Sequence, residues 1–519
     1  MTGRLNLVIS WKYAASLVLV LAASLALLLP LTLFTPPRDS EVWLFQSISE
    51  MQEQQQHLPL LNGEILKGGN PLTLAALSLI PVRDITTPRL ASCALGCIFI
   101  AFIFLYTLSL FDLKSALASS AVMLTSFGYL ALFGTLNLIA LPVTLAAAAF
   151  GIFSLTYLGR LRGTWYIASY VLAASAAVTG GYLMLLFFVT AALLLILFDL
   201  APSQFFSIHL MPGAAIIVCA FLAYFAAYRI LAGPGFTDGS LSSGDHLGFF
   251  HGLFACLTYG APWIFLLAPA LLYGGGPSDQ ETWRRLLPLR TACSVVFLIL
   301  WVSSRSMPQH AVLLTAFAAP LIGDWMAHGM RQGLQKKALG AWMMALSGIT
   351  VFAAALVILS LPMVRGSVLH LEQIIAVAVF AVAALAFVIL VLKRTLPAQF
   401  ILAATAAVVI VWCMAFVSPE GQWSEKITYM EGVSDHDPLI VYEDDLTMRG
   451  YMSAVTARPV VVGRDAVPMN DTAFLAVSTS DLSSLLDELK GRMNSVVLDS
   501  YRAENTYALM LISPRKRGN

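Results

Sequence analysis

Twenty-two consecutive residues, Tyr13–Phe34 ("YAASLVLVLAASLALLLPLTLF"), carry no charged side chain. A backbone N–H or C=O left unpaired in hydrocarbon costs several kcal/mol, so about 20 apolar residues that meet lipid do so as a helix. This run exceeds the roughly 7–15 residues of a signal-peptide core, lacks a clear small-x-small cleavage pattern before the acidic loop, and so reads as a retained helix. Runs of the same kind recur near 12–34, 89–111, 114–133, 137–158, 164–179, 181–199, 211–232, 253–274, 290–304, 308–328, 341–362, 371–392 and 398–417. The expected fold is mainly α: a polytopic membrane protein of about thirteen spans. The pairs around Gly180 and Ser304 have the shortest connections.

Composition agrees with that reading. The 519 residues are 59% hydrophobic and 11% charged, against about 25% charged in soluble globular chains. A net charge of +1 leaves no basic footprint for nucleic acid. All six cysteines (Cys93, Cys97, Cys219, Cys256, Cys293, Cys413) fall inside apolar runs. Cys93 and Cys97 share a helix face with no third ligand nearby, so all six read as small buried apolar side chains rather than disulfide or zinc partners.

Orientation follows from the short loops. With the N-terminus inside, the inner connections carry Arg4, Lys12, Lys114, Arg160, Arg162, Arg284, Arg285, Arg290, Arg331, Lys336, Lys337, Lys393 and Arg394, while the outer ones carry little beyond Arg305 and Arg365. An odd number of spans then puts the C-terminal segment outside. Two parts are not membrane: an outer loop over 35–88, and residues 420–519, which follow the membrane domain 1–419. In the loop, "EVWLFQSISEM" has helical spacing with Val42, Phe45, Ile48 and Ser49 on one face and can lie along the bilayer surface. "NPLTLAALSLI", near 70–80, is too short to span and reads as a second interfacial or re-entrant helix. From 420 onward, short β-rich runs ("PLIVYE", "PVVVG", "AFLAVS", "SVVLD", "YALMLI") alternate with the helical "DLSSLLDELKGR", the pattern of a small α/β soluble domain.

Chemistry concentrates after the first span, in "TPPRDSEVW". Asp39 and Glu41 form a D-x-E pair at the membrane edge. Two carboxylates there can hold a divalent cation, or one can act as a base toward an acceptor hydroxyl or amine. The plainer reading is that Asp39 or Ser40 caps a helix and Glu41 favours its dipole. Arg229 lies near the outer end of its span, where it can pair with a lipid phosphate or snorkel. Asp245, His246, Arg305 and His310 lie in outer loops on the side of Asp39 and Glu41, and such groups suit an anionic lipid headgroup.

The order of these features resembles the C-type (GT-C) membrane glycosyltransferases, most closely the aminoarabinose transferase and protein mannosyltransferase group. The resemblance rests on Glu41 ten residues before Met51 of "SEM", then Pro59 and "LNG" at 61–63, "NPL" at 70–72, and "PRL" at 88–90 with Arg89 opening the next span. "GAPW" at 260–263 and "SRSMPQHAVLLTAFAAPLIGDW" resemble later family segments, so the likeness covers the whole chain. It departs at several positions. Ser40, not Asp39, is in strict register with the family aspartate, and Trp43 replaces an arginine. Gly69 and Ser306 stand at lysine positions, with Arg305 one residue early, His310 replaces a tyrosine, and Asn137 stands where an aspartate often does.

The resemblance implies an inverting enzyme of the extracytoplasmic face, in a bacterial inner membrane. It would move a sugar from a polyprenyl-phosphate carrier to a lipid, glycan or protein acceptor, modification of lipid A or a glycan being the expected class. Asp39 is then the base candidate and Glu41 its assistant or a metal ligand, with Arg89, Arg229, Arg305, His310, Asp245 and His246 around the carrier phosphate or the acceptor. The competing expectation is a relative that has lost catalysis and serves as a lipid-binding or assembly subunit. A transporter fits less well, because no inverted repeat is visible.

Overall fold

The computed structural model describes residues 11–34, 39–53, 60–61, 64–65, 77–79, 85–199, 211–220, 222, 249–260, 263–272, 280–302, 310–328, 439–441, 460–462, 473–478, 482–489, 493–502 and 506–514. The spans expected at 341–362, 371–392 and 398–417 lie outside the described residues, as does most of the segment 70–80. The chain divides into two compact units. The first comprises Met1–Phe34, Lys67–Thr73 and Arg89–Val417; the second comprises Thr35–Leu66, Leu74–Pro88 and Ser418–Asn519.

The first unit is helical. It contains α1 (Trp11–Phe34), most of α3 (Thr86–Leu110), α4 (Leu113–Leu124), α5 (Phe127–Phe133), α6 (Ala140–Tyr157), α7 (Trp165–Gly180), α8 (Tyr182–Phe198) and α9 (Met211–Ala220). After these come α10 (Phe249–Gly260), a 3₁₀ turn (Trp263–Leu266), α11 (Leu267–Leu272), α12 (Gln280–Val302) and α13 (Ala311–His328). Among the described residues, α1, α3, α6 and α13 are long and apolar enough to cross a membrane, and α4 with α5 make a fifth span if the bent pair is one element. The protein is an integral membrane protein. α1 shows why such helices need lipid: Val18, Leu19, Leu25 and Leu33 are exposed on one side while Val20, Leu28 and Leu31 are buried on the other.

Small residues decide where the rods end. After α6 the chain reverses through Gly159 at φ +70°, with Arg160 N–H donating to Leu155 O at 2.9 Å, a Schellman closure that satisfies a terminal carbonyl. Between α7 and α8 the reversal takes one residue, Gly181 at φ +77°. The run expected as one span at 114–133 is broken at Thr125–Ser126 by 65°. Hydroxyls add to the backbone hydrogen bonds of the two helix ends there. Thr125 Oγ1 donates to Ala121 O at 2.6 Å, Ser126 Oγ donates to Met123 O at 2.8 Å, and Tyr129 N–H donates back to Ser126 Oγ at 3.4 Å. Trp263, from the "GAPW" segment, donates its indole N–H to Thr125 Oγ1 at 2.7 Å. The core of this unit is aromatic, with Phe317 edge-on to Tyr106 and Phe150, and Phe150 edge-on to Phe187.

The second unit holds α2 (Asp39–Glu53), the hairpin β1 (Leu60–Leu61) and β2 (Glu64–Ile65), and a five-stranded sheet. The two residues between β1 and β2 are Asn62 and Gly63, the dipeptide that two-residue hairpins favour. The sheet comprises β3 (Leu439–Val441), β4 (Val460–Val462), β5 (Ala473–Ser478), β6 (Met493–Arg502) and β7 (Thr506–Pro514), in the order β4-β3-β5-β7-β6. β3 runs parallel to β4 and β5, and β7 runs antiparallel to β5 and β6. Alternate residues Leu475 and Val477 of β5 join Ile440, Met510 and Leu485 of α14 (Leu482–Leu489) in a small core.

Candidate active site

The helix expected after the first span forms, and it starts earlier than the apolar pattern shows, at Asp39. Its buried side is Glu41, Leu44, Phe45, Ile48 and Met51, spaced three and four apart, together with Ser47. This corrects the expected face of Val42, Phe45, Ile48 and Ser49: Ser49 is only half-buried, and Leu44 and Met51 take the inner positions. Within the unit, Phe45 packs on Ile85, and Gln52 Nε2 donates to Ser78 O at 2.8 Å.

Glu41 is 1% exposed, a costly place for a carboxylate and a common mark of a working site. Because Asp39 and Glu41 belong to one helix, their positions are about 200° apart around its axis. Among the described residues no group of three His, Cys, Asp or Glu side chains could hold a metal.

Arg89 is 2% exposed and sits in the first turn of α3. Its Nη1 donates to Thr32 O at 3.4 Å, in the last turn of α1, whose terminal carbonyls have no partner within the helix. The arginine expected near the carrier phosphate thus also ties α3 to the C-terminal end of α1. Asn137 Oδ1 accepts from Ile139 N–H at 2.9 Å at the start of α6, so the amide at this aspartate position turns the chain into the helix. His310 lines a small pocket with Met184, Phe187, Leu300 and Leu313, about 20 Å³ in volume. That is room for about one water and not for a sugar. Arg229, Asp245, His246 and Arg305 lie outside the described residues.

The structure adds two polar clusters that the sequence reading did not single out. Asp112 caps α4, its Oδ1 accepting from Ser115 N–H at 2.8 Å, while Ser115 Oγ donates to Asp324 Oδ1 at 2.9 Å. His328 stands between the two acids, with Nδ1 3.1 Å from Asp324 Oδ1 and Nε2 3.3 Å from Asp112 Oδ2. Burial works against the charged form of Asp112, but hydrogen bonds from Ser115 and the charges of His328 and Lys114 outweigh it and hold the carboxyl below its usual range. In the second cluster, Asp199 joins Arg284 and Tyr157. The visible signals were an acid inside an apolar run four residues before a histidine, and an aspartate ending a span.

The fold that carries these residues is the GT-C fold of membrane glycosyltransferases. It is similar to that of ArnT, an aminoarabinose transferase, from Cupriavidus metallidurans. Against the apo structure the TM-score is 0.69 at 13% identity, over 96% of this chain and 98% of that one. Against the structure bound to undecaprenyl phosphate it is 0.67 at 13% identity, over 95% and 97%. The Archaeoglobus fulgidus oligosaccharyltransferase, tethered to an acceptor peptide, aligns at TM-score 0.45 and 12% identity, over 96% and 74%, too loosely to carry weight. No protein-family model matches the chain, and no curated protein matches it by sequence.

Proposed function

We propose that this protein is a membrane glycosyltransferase that takes a sugar from a polyprenyl-phosphate carrier at the extracytoplasmic face and gives it to a lipid, glycan or protein acceptor. The observation that carries this reading is the end-to-end likeness to ArnT, a protein whose structure holds undecaprenyl phosphate. The full reading has about thirteen spans, the N-terminus inside, and the sheet of 420–519 outside with the loop 35–88.

The reaction needs little from the protein beyond placement and charge. A carboxylate takes the proton of the acceptor hydroxyl or amine as its oxygen or nitrogen attacks the anomeric carbon opposite the phosphate. The C–O bond to the carrier breaks, and the electron pair leaves on polyprenyl phosphate, whose charge basic side chains stabilise. Burial of Glu41 supports it as that base. Asp39 is the second candidate, since the helix carries the two positions to different sides. Arg305, Arg229, His310, Asp245 and His246 are proposed around the phosphate or the acceptor, and Arg89 as the buried cation that fixes the end of α1. Asp39 and Glu41 are the proposed ligands of a divalent cation if the reaction uses one, and none of the steps above requires it.

Mass spectrometry of envelope glycolipids and glycoproteins, with and without the protein, tests the reading and identifies the acceptor. A sugar addition that disappears with the gene product and with Glu41→Gln supports transfer. An unchanged glycome, with polyprenyl phosphate still bound, points to the non-catalytic lipid-binding subunit.

A further inference from the structure

The turn between α6 and α7 carries charge that its own surroundings leave unmatched. No aspartate or glutamate occurs between Asp112 and Asp199, and the turn, residues 158–164, holds Arg160 and Arg162. The acid that reaches this end of α6 is Asp199, through Tyr157, and Arg284 already binds both of its oxygens. The other described arginines of the helical unit are engaged: Arg89 donates to Thr32 O, Arg285 pairs with Glu281, and Arg290 stands over the Trp283 ring. Among the described residues, neither the Arg160 nor the Arg162 guanidinium has a hydrogen-bond or ion-pair partner.

The backbone of this turn is fixed. Arg160 N–H and Leu161 N–H both donate to Leu155 O, at 2.9 and 3.3 Å, and Trp165 N–H donates to Arg162 O at 3.0 Å. Leu161, between the two arginines, packs on the core. The chain that carries both guanidinium groups is thus set before a ligand arrives, which lowers the entropic cost of binding one. α7 leads away from the turn with Ser169, Tyr170, Ala173 and Ala177 buried and with Trp165, Ile167 and Val171 exposed on the other side. Cations at the turn, then an outward indole, then outward aliphatic side chains follow the layering of a membrane edge from headgroup to hydrocarbon.

We propose that the α6–α7 turn is a headgroup site for one anionic phospholipid. Arg160 and Arg162 donate to the phosphate oxygens, and an acyl chain lies along Ile167 and Val171 below the Trp165 indole. Charge complementarity selects the ligand: two cations without a protein carboxylate face a layer whose anionic groups are lipid phosphates. In the orientation proposed above this is the cytoplasmic leaflet, where anionic lipids concentrate. The site goes beyond the transfer reaction and does not depend on it.

The test uses the full-length protein in detergent, with native mass spectrometry of adducts from phosphatidylglycerol and phosphatidylcholine. The expected result is preferential retention of phosphatidylglycerol, reduced about five-fold by Arg160→Gln or by Arg162→Gln. Lys12→Gln, which removes the same charge from α1, should leave retention unchanged. A photoactivatable phosphatidylglycerol should label the peptide 157–172 in the wild type, a readout that needs no variant to fold. Equal retention of phosphatidylcholine, undiminished retention in both arginine variants, an equal loss in Lys12→Gln, displacement of the lipid by inorganic phosphate at equal concentration, or labelling confined to other helices would each overturn the proposal.

Discussion

Asp199 grips Arg284 with both carboxylate oxygens, Nε to Oδ1 at 3.0 Å and Nη2 to Oδ2 at 2.8 Å, across 85 residues of sequence. Tyr157 adds its hydroxyl to Oδ2 at 2.9 Å, so the C-terminal ends of α6 and α8 and the first turns of α12 meet at one aspartate. The Arg284 hydrogen bonds, helped by Tyr157 and opposed by burial, hold the Asp199 carboxyl below its usual range.

The sign of the resulting pH dependence follows from that direction. The folded value is below the unfolded one of about 3.9, so the contribution is fully present above about pH 4 and lost as pH falls through the folded value. Arg284 is 56% exposed, and with solvent screening the pair contributes about 1 kcal/mol. Asp199→Asn should lower the melting temperature in detergent by about 2 °C at pH 7. The gap from wild type should shrink below pH 4, as followed by thermal unfolding across pH.

Tyr129 links three helices inside the membrane domain. Its hydroxyl donates to Gly96 O at 3.0 Å and lies 2.7 Å from Ser24 Oγ, joining α5 to α3 and α1. Tyr129→Phe keeps the ring packing and removes these bonds, for an expected loss of about 1 kcal/mol. Ser24→Ala should cost a similar amount, and the double variant less than the sum, because the two share one bond. Unfolding of the three variants in detergent checks the coupling.

Gly323 lets α13 press against the backbone of α4. A Cβ there would stand 2.8 Å from the Ser119 Cα, closer than side-chain atoms approach, and backbone cannot turn aside. Gly323→Ala should therefore push α13 away and cost about 2 kcal/mol or more. Reduced yield of folded protein and a lower melting temperature are expected, measured by fluorescence-detected size exclusion after a temperature series.

Glu41→Gln retains shape and removes the proposed base. Sugar transfer in membranes should fall by about 10²- to 10⁴-fold, with Glu41→Asp recovering part of it. Asp39→Asn, measured in the same assay, separates the two carboxylates. Undiminished turnover in Glu41→Gln would reassign the base to Asp39, and undiminished turnover in both would remove the pair from the chemistry.

The sequence was most legible where one helix could be read from its own residues. The run expected at 89–111 is the helix Thr86–Leu110, and the one expected at 308–328 is Ala311–His328. It was less legible where a distant residue decides. The bend at Thr125 is set partly by Trp263, which no local pattern announces. The span expected at 290–304 belongs to a helix that begins at Gln280, because charges that read as loop are matched by Asp199 and Glu281. Hydropathy also could not show that the helix starting at Asp39 turns that residue's position away from the Glu41 face.

A straight rod in a helical bundle can slip along its axis or spin in place, since one turn looks much like the next. The elbow between α4 and α5 removes both freedoms. With Thr125 pinned by the Trp263 indole, and Gly134 leaving room for Leu31 beside the end of α1, the bent segment works as a key in a lock. It fixes the azimuth and the height at which α1 packs inside the helical unit.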